Sequence, residues 1–247
     1  MARLWLPGIP YGTGAVFESA CVVGAGRVGN AIAARLGERI STRVAGRDLD
    51  CRDADLVLLC VPDGEIATVA EKISPGPWVA HTSGSASVSE LHGHERRFSL
   101  HPLQTFVLER GPEQLLGAWA AVSGESADAR AAGQALAELL GLRHFELADE
   151  SRALYHAAAM MASSFVVTLH DLAARWIAAA GGPPVALTPL TLRTIENGFQ
   201  HTGPLVRGDS ATIERDKAAV GRLDPLDLEL FANLVEAEGR LLLEGAR

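Results

Sequence analysis

The chain has 247 residues, enough for one large or two ordinary domains, and 48% of them are hydrophobic, ample for a buried core. Its net charge of −8 argues against a generally basic surface for nucleic acid. Met1 to Ser19 lack the basic start and long apolar run of a signal peptide and read as a loose extension or an edge element. Cys21, Cys51 and Cys60 form no C-x-x-C pair, and free thiols in a reducing cytoplasm are expected.

The first predicted element is a short apolar strand, Cys21-Val22-Val23, leading into Gly24-Ala25-Gly26-Arg27-Val28-Gly29 and an amphipathic helix carrying Val28, Ile32 and Leu36. The spacing is G-x-G-x-x-G. In a strand–turn–helix context the first glycine permits the tight turn and the second lets backbone approach a pyrophosphate. The third allows close helix–strand packing. The helix start then offers free N–H groups and a positive dipole end to phosphate. A second strand is predicted near Thr42 to Ala45, followed by Gly46-Arg47-Asp48. A cation at this strand end suits the 2′-phosphate of NADP, and a carboxylate suits the ribose hydroxyl of NAD. Arg47 favours NADP, while Asp48 leaves NAD open should the strand run two residues further.

Asp55 to Asp63 contains a continuous apolar run, the pattern of a parallel strand buried on both faces. Val61, Pro62 and Asp63 would border the cofactor crevice, with Asp63 also a candidate cap for the next helix. Trp78 to Thr82 predicts a fourth strand followed by Ser83-Gly84-Ser85, small hydroxyl residues suited to the neighbourhood of a nicotinamide. Further strands are predicted at Arg97 to Leu100, Ala120 to Ser123 and Arg143 to Glu146, with a helix over Asp128 to Leu140. Alternating strands and helices indicate a doubly wound α/β sheet, the Rossmann type, whose ligands bind beyond the carboxyl ends of the strands. His101 and Gln104 stand at such an end.

Beyond Asp149 the chain becomes alanine-rich and helical. The predicted organisation is an extension over 1–19, an NAD(P)-binding domain over 20–149 and an all-helical domain over 150–247. The stretch from Ser151 to about Ala180 has the length of a membrane span, but His156, Ser163, Ser164, His170, Asp171 and Arg175 interrupt it, and a buried helix is expected instead. Further helices are predicted near Pro189–His201, Ser210–Val220 and Pro225–Leu243, with a turn over Thr202 to Asp209.

Several stretches together resemble the 6-phosphogluconate dehydrogenase-like superfamily, which includes pyrroline-5-carboxylate reductases. The more specific resemblance is to Rossmann-like proteins with a carboxyl-terminal domain of unknown function 2520. It is carried by the glycine motif, Leu59-Cys60-Val61-Pro62-Asp63, His81-Thr82-Ser83-Gly84, His101-Pro102-Leu103-Gln104-Thr105-Phe106, Tyr155-His156-Ala157-Ala158-Ala159 and Thr202-Gly203-Pro204-Leu205-Val206-Arg207-Gly208-Asp209. The resemblance implies a nucleotide-binding domain followed by a helical domain that builds a homodimer, and a distant relation to ketopantoate reductases. Relatives often carry asparagine nine residues after the tyrosine, where this chain has Ser164.

Related hydroxyacid dehydrogenases use a lysine on the helix between domains. Here the only lysines are Lys72 and Lys217. Histidines His156 and His101 are therefore the candidates for proton transfer. Gln104, Ser163, Ser164, Asn197, Thr202, Arg207 and Asp209 are candidate substrate groups, Arg207 being suited to a carboxylate. Arg207 and Asp209 could equally brace their own turn. His92-Gly93-His94-Glu95 reads as a solvated loop, and no metal is expected. Serine hydrolysis and nucleotide triphosphate hydrolysis lack their motifs. The reading is a cytoplasmic NADP-dependent oxidoreductase that reduces a small polar carbonyl or imine, such as a 2-keto acid, in an interdomain cleft, without nucleic acid or membrane partners. A non-catalytic dinucleotide sensor or assembly module is the alternative.

Overall fold

The computed structural model describes residues 16–46 and 51–245. Arg47, Asp48 and most of the amino-terminal extension lie outside the described residues. Seven strands form one sheet: β1 (Ser19–Val23), β2 (Ser41–Ala45), β3 (Leu56–Leu59), β4 (Trp78–His81), β5 (Arg97–Leu103), β6 (Trp119–Ser123) and β7 (Arg143–Glu146). Their order is β2-β1-β3-β4-β5-β6-β7. The chain passes from β1 to β2 on one side and then crosses to β3 on the other, so β1/β3 is the topological switch point.

Side chains alternate between two cores, which is why these strands lack polar alternation. Ala20, Val22, Leu56, Leu58, Phe98 and Leu100 pack with Ile32 and Leu36 of α1 (Arg27–Gly37) and with Leu136 and Leu140 of α3 (Ala127–Leu140). Cys21, Val23, Val57, Leu59 and Val79 pack on the other side with Ile66 of the short helix α2 (Ile66–Ala70) and with Leu91. The sheet is therefore doubly wound. All neighbouring strands are parallel except β5 and β6. The link between them, residues 104–118, holds only a short 3-10 turn over Pro112–Leu115 and no crossover α-helix. Without such a crossover β6 must return antiparallel beside β5. Consequently β6 and β7 end at the edge where β5 begins.

The cysteines differ from expectation. Cys21 of β1 and Cys51 are joined in a disulfide, while Cys60 is a free thiol. The fold brings the Cα atoms of Cys21 and Cys51 to 5.5 Å, within the usual reach of the bond. His94 also departs from a solvated loop: it is buried, with Nε2 3.0 Å from the Ala70 carbonyl oxygen.

The long predicted helix is broken at Ser163, whose backbone leaves helical geometry (φ −130°, ψ −82°). It becomes α4 (Arg152–Ala162) and α5 (Ser164–Ala179), and the whole span Asp149–Ala179 is long and apolar enough to cross a membrane by length and composition, with none of its apolar window buried. The chain divides into compact units at the same point, Met1–Ser163 and Ser164–Arg247. This lies later than the expected boundary after 149, because Asp149, Arg152 and Tyr155 bond back to the loop after β4 and to β5. The second unit contains α5, α6 (Leu187–Glu196), α7 (Ser210–Leu223) and α8 (Pro225–Gly245). Trp176 Nε1 donates to Asp227 at 2.7 Å, and Arg175 pairs with the same carboxylate. α5 was expected to be buried, yet none of its residues is.

Candidate functional site

The glycine turn sits at the β1/β3 switch point. Gly24 has φ +108°, and a Cβ there would overlap the Cys60 carbonyl oxygen. A Cβ on Gly29 would overlap the Gly24 carbonyl oxygen and lie 3.2 Å from Cys60 Cβ. Both positions are therefore closed to side chains by the chain itself. Gly26 differs: a Cβ there meets no protein atom within 4 Å. Packing does not require glycine at Gly26, whereas close approach of a phosphate does. Gly26 is also the residue before α1, with no side chain capping the helix. The N–H groups of the first turn remain open to an anion. Asn30 Nδ2 donates to the Ala25 carbonyl at 3.0 Å and steadies the turn, while Arg27 projects from the exposed start of the helix and Val28 packs inward. These residues fit a dinucleotide pyrophosphate.

A polar cluster occupies the same edge, at the ends of β3, β4 and β5. Val61 and Pro62 lead from β3 into a 3-10 turn over Asp63–Glu65. Asp63 was expected to cap this helical start, but it makes no cap bond. Its carboxylate instead accepts from the Ser85 hydroxyl at 2.6 Å. Partial burial works against ionisation of Asp63, yet the Ser85 and Ser83 hydroxyls and the nearby His81 and His156 prevail and hold its pKa below the ordinary value. The buried Ser83 hydroxyl accepts the N–H groups of Ser85 and Ala86, so it fixes the loop after β4.

His101 projects from β5, half-buried. Its Nδ1 lies 2.6 Å from the Tyr155 hydroxyl of α4, and its ring meets Tyr155 edge-on. His156, the next residue on α4, stands with its ring centroid 6.5 Å from that of His101. Gly84 makes room for both. A Cβ on Gly84 would come within 2.9 Å of His101 Nε2 and 3.0 Å of His156 Cδ2. Burial, then the neighbouring His156 and Arg152, push the His101 pKa down to about 4. Burial raises Tyr155 to about 12, with Arg152 opposing it. Near neutral pH the pair is an uncharged imidazole against an uncharged phenol.

Beneath it lies an ion pair with a buried arginine. Arg152, only 2% exposed, donates from Nε to Asp149 at 2.8 Å and from Nη1 to the Ser83 carbonyl at 3.1 Å, while Nη2 has no partner. Burial opposes ionisation of Asp149, but the Ser87 hydroxyl, the Val88 N–H and Arg152 lower its pKa. His81, fully buried at the end of β4, has Nε2 3.2 Å from the Ser87 carbonyl oxygen. Burial, then Arg152, push its pKa down to about 4. Arg152, Asp149, His81 and Tyr155 were not among the expected site residues. Tyr155 and His81 stand inside the motifs that carry the family resemblance. Arg152 carried no local signal beyond being an arginine on an apolar helix.

The structure thus assembles Asp63, Ser83, His101 and His156 around one point. Gln104 is otherwise engaged: it lies exposed past β5, donates to the Gln114 carbonyl and accepts the Thr105 N–H, bracing its loop. Ser163 donates to the Ala159 carbonyl at the helix break, and Ser164 begins α5. Asn197 ends α6, exposed. Arg207 donates to the Thr202 carbonyl at 2.8 Å, and Asp209 caps α7 by accepting the Thr212 N–H at 3.1 Å. Within the second unit these two side chains brace their own turn.

The fold is Rossmann-like, and solved structures share it. A candidate NADP oxidoreductase from Bacteroides fragilis is 18% identical with a TM-score of 0.76, over 92% of this chain and 100% of that one. A protein from Thermotoga maritima is 23% identical with a TM-score of 0.74, over 92% and 99%. A 1-pyrroline-5-carboxylate reductase from Streptococcus pyogenes is 14% identical with a TM-score of 0.61, over 90% and 98%. Residues 118–237 match the family described as domain of unknown function (DUF2520), in agreement with the motif resemblance. No curated protein matches the chain by sequence.

Proposed function

We propose that the protein is an NADP-dependent oxidoreductase that reduces a small polar carbonyl or imine compound. The observation that carries this reading is Gly26, glycine where the chain's own packing does not demand one, at the open start of α1 and on the edge that holds His101 and His156. When bound, the dinucleotide supplies the hydride. The chain's residues bind its phosphates on the glycine turn and handle one proton through His101 or His156. Their half-buried rings favour an enzyme over a sensor, because a binding module has no need of paired proton-handling groups beside its ligand. Arg47 supports NADP over NAD on sequence grounds. Arg207 is occupied by its own turn, which weakens the case for a carboxylate-bearing substrate such as ketopantoate and leaves an uncharged carbonyl or imine group as the target. The exposed apolar faces of α5, α6 and α8 support a homodimer.

The test is a titration of purified protein with NADPH and NADH, followed by fluorescence, on the parent and on Gly26→Val. The parent should bind NADPH more tightly than NADH. The Gly26→Val variant should keep its melting temperature and lose at least tenfold in affinity. Failure of the parent to bind either dinucleotide overturns the proposal. Turnover across a panel of ketones, aldehydes and imines then separates the enzyme from a sensor.

A further inference from the structure

We infer that Tyr155 and His101 form a proton relay, in which the Tyr155 hydroxyl donates to His101 Nδ1 and the opposite nitrogen, Nε2–H, beside His156, is the proton donor to a substrate carbonyl. The inference rests on the oxidoreductase reading above and names the group within that site that delivers the proton and the one that resupplies it.

The geometry is specific. The two residues are 54 apart in sequence, on β5 and α4, yet their polar atoms meet at 2.6 Å. A phenol O–H is a better donor than acceptor, so the short contact is read as O–H···Nδ1. A neutral imidazole carries one N–H, and an Nδ1 that accepts leaves the proton on Nε2. Nε2 lies against Gly84, where a Cβ would come within 2.9 Å of it, and the His156 ring stands beside both. Phe145 of β7 meets the Tyr155 ring edge-on and holds it in place. The groups that act on His101 electrostatically are His156 and Arg152 from α4 and Asp63 after β3. Arg152 is tied to Asp149 and the Ser83 carbonyl, and Asp63 to Ser85.

The step balances. The carbonyl carbon gains a hydride from the reduced nicotinamide, and the carbonyl π pair moves onto oxygen. That oxygen takes the proton from Nε2 while the N–H pair returns to the ring. The Nδ1 lone pair takes the Tyr155 proton. Once the product has left, water returns a proton to Nε2 and the Nδ1 proton goes back to the phenolate, which restores the starting tautomer. The carbonyl has become an alcohol, and the nicotinamide is oxidised. A phenol, even one raised by burial, is a stronger acid than an aliphatic alcohol, so the overall proton movement is downhill. His101 stays uncharged before and after the step.

The test reads the tautomer first and the rate second. Long-range proton–nitrogen correlation on 15N-histidine-labelled protein at pH 7 should find His101 with Nδ1 bare and Nε2 protonated, and Tyr155→Phe should move the Nδ1 resonance or mix the tautomers. A proton on Nδ1 in the parent, or an unchanged His101 spectrum in Tyr155→Phe, overturns the relay. Both readings are made without substrate or dinucleotide, so they stand apart from the binding titration that tests the oxidoreductase itself. With a carbonyl substrate in hand, Tyr155→Phe should lower kcat about 10- to 100-fold with KM and NADPH affinity held, a size typical of losing proton-transfer assistance. His101→Gln, which keeps a donor near Nε2 but breaks the chain to Tyr155, should lose the solvent isotope effect on kcat. Parent-like kcat in Tyr155→Phe overturns the relay even if the tautomer is as expected.

Discussion

His81 and His101 are two imidazoles that the fold keeps uncharged well below the ordinary histidine range. Each has a pKa near 4, against 6.5 when unperturbed. Between these values the unfolded chain binds protons that the folded chain refuses. Stability from both groups is therefore complete above pH 6.5 and is lost as the pH falls from 6.5 towards 4. The melting temperature should drop across that window, and His81→Gln should flatten the slope by roughly half, since two groups share it. An unchanged slope in the variant would remove His81 from the account. His81 and His101 also illustrate what the residue scale of sequence reading reaches. His101 was found from its place at a strand end. The Tyr155 contact was not, because it depends on α4 lying across β5. Asp63 was misassigned for the same reason: a local capping rule was overruled by Ser85, 22 residues away.

Elements were more legible than contacts. The sheet strands were found because buried parallel strands are continuous apolar runs, and α3 because its apolar face repeats at helical spacing. Two features were hidden. The reversal of β6 depends on the absence of a crossover helix, and the break at Ser163 has no proline or glycine within the helical run to announce it. Caps offer the test at this scale. Ser126 accepts the Ala129 N–H at 3.1 Å at the start of α3, and Ser126→Ala should cost about 1 kcal/mol in chemical denaturation. Asp209 does the same for α7. Asp209→Ala should lower the melting temperature and leave NADPH affinity and substrate KM at parent values. A raised KM at an unchanged melting temperature would return Asp209 to the substrate site.

At the scale of the whole molecule, the first unit has a two-sided core and the second barely has one. Among the described residues of the second unit only Ile213 and Asp227 are buried, while Val167, Leu190, Leu192 and Phe199 stand more than half exposed. Contiguous apolar surface of this kind is characteristic of association. Sedimentation should therefore report a species of twice the 26.0 kDa chain mass, and Leu192→Glu should shift it towards the single-chain mass. A parent protein that sediments as one chain at micromolar concentration would refute the dimer. The composition of α5 was equally consistent with a buried helix, because apolar residues look alike whether their own chain or a second copy covers them.

The start of α4 has a consequence for how such a protein can change over generations. His101, Ala121 and Phe145 stand in one row across β5, β6 and β7, and Tyr155 of α4 meets both His101 and Phe145 at the end of that row. Asp149 and Arg152 fix where α4 begins, and Tyr155 follows one helical turn after Arg152. The helix is thus a ruler with its zero mark at the ion pair. One inserted residue between Arg152 and Tyr155 would swing the phenol by about 100° around the axis and replace it with its neighbour. In descendants of this chain the three-residue interval along α4 admits substitution and not insertion.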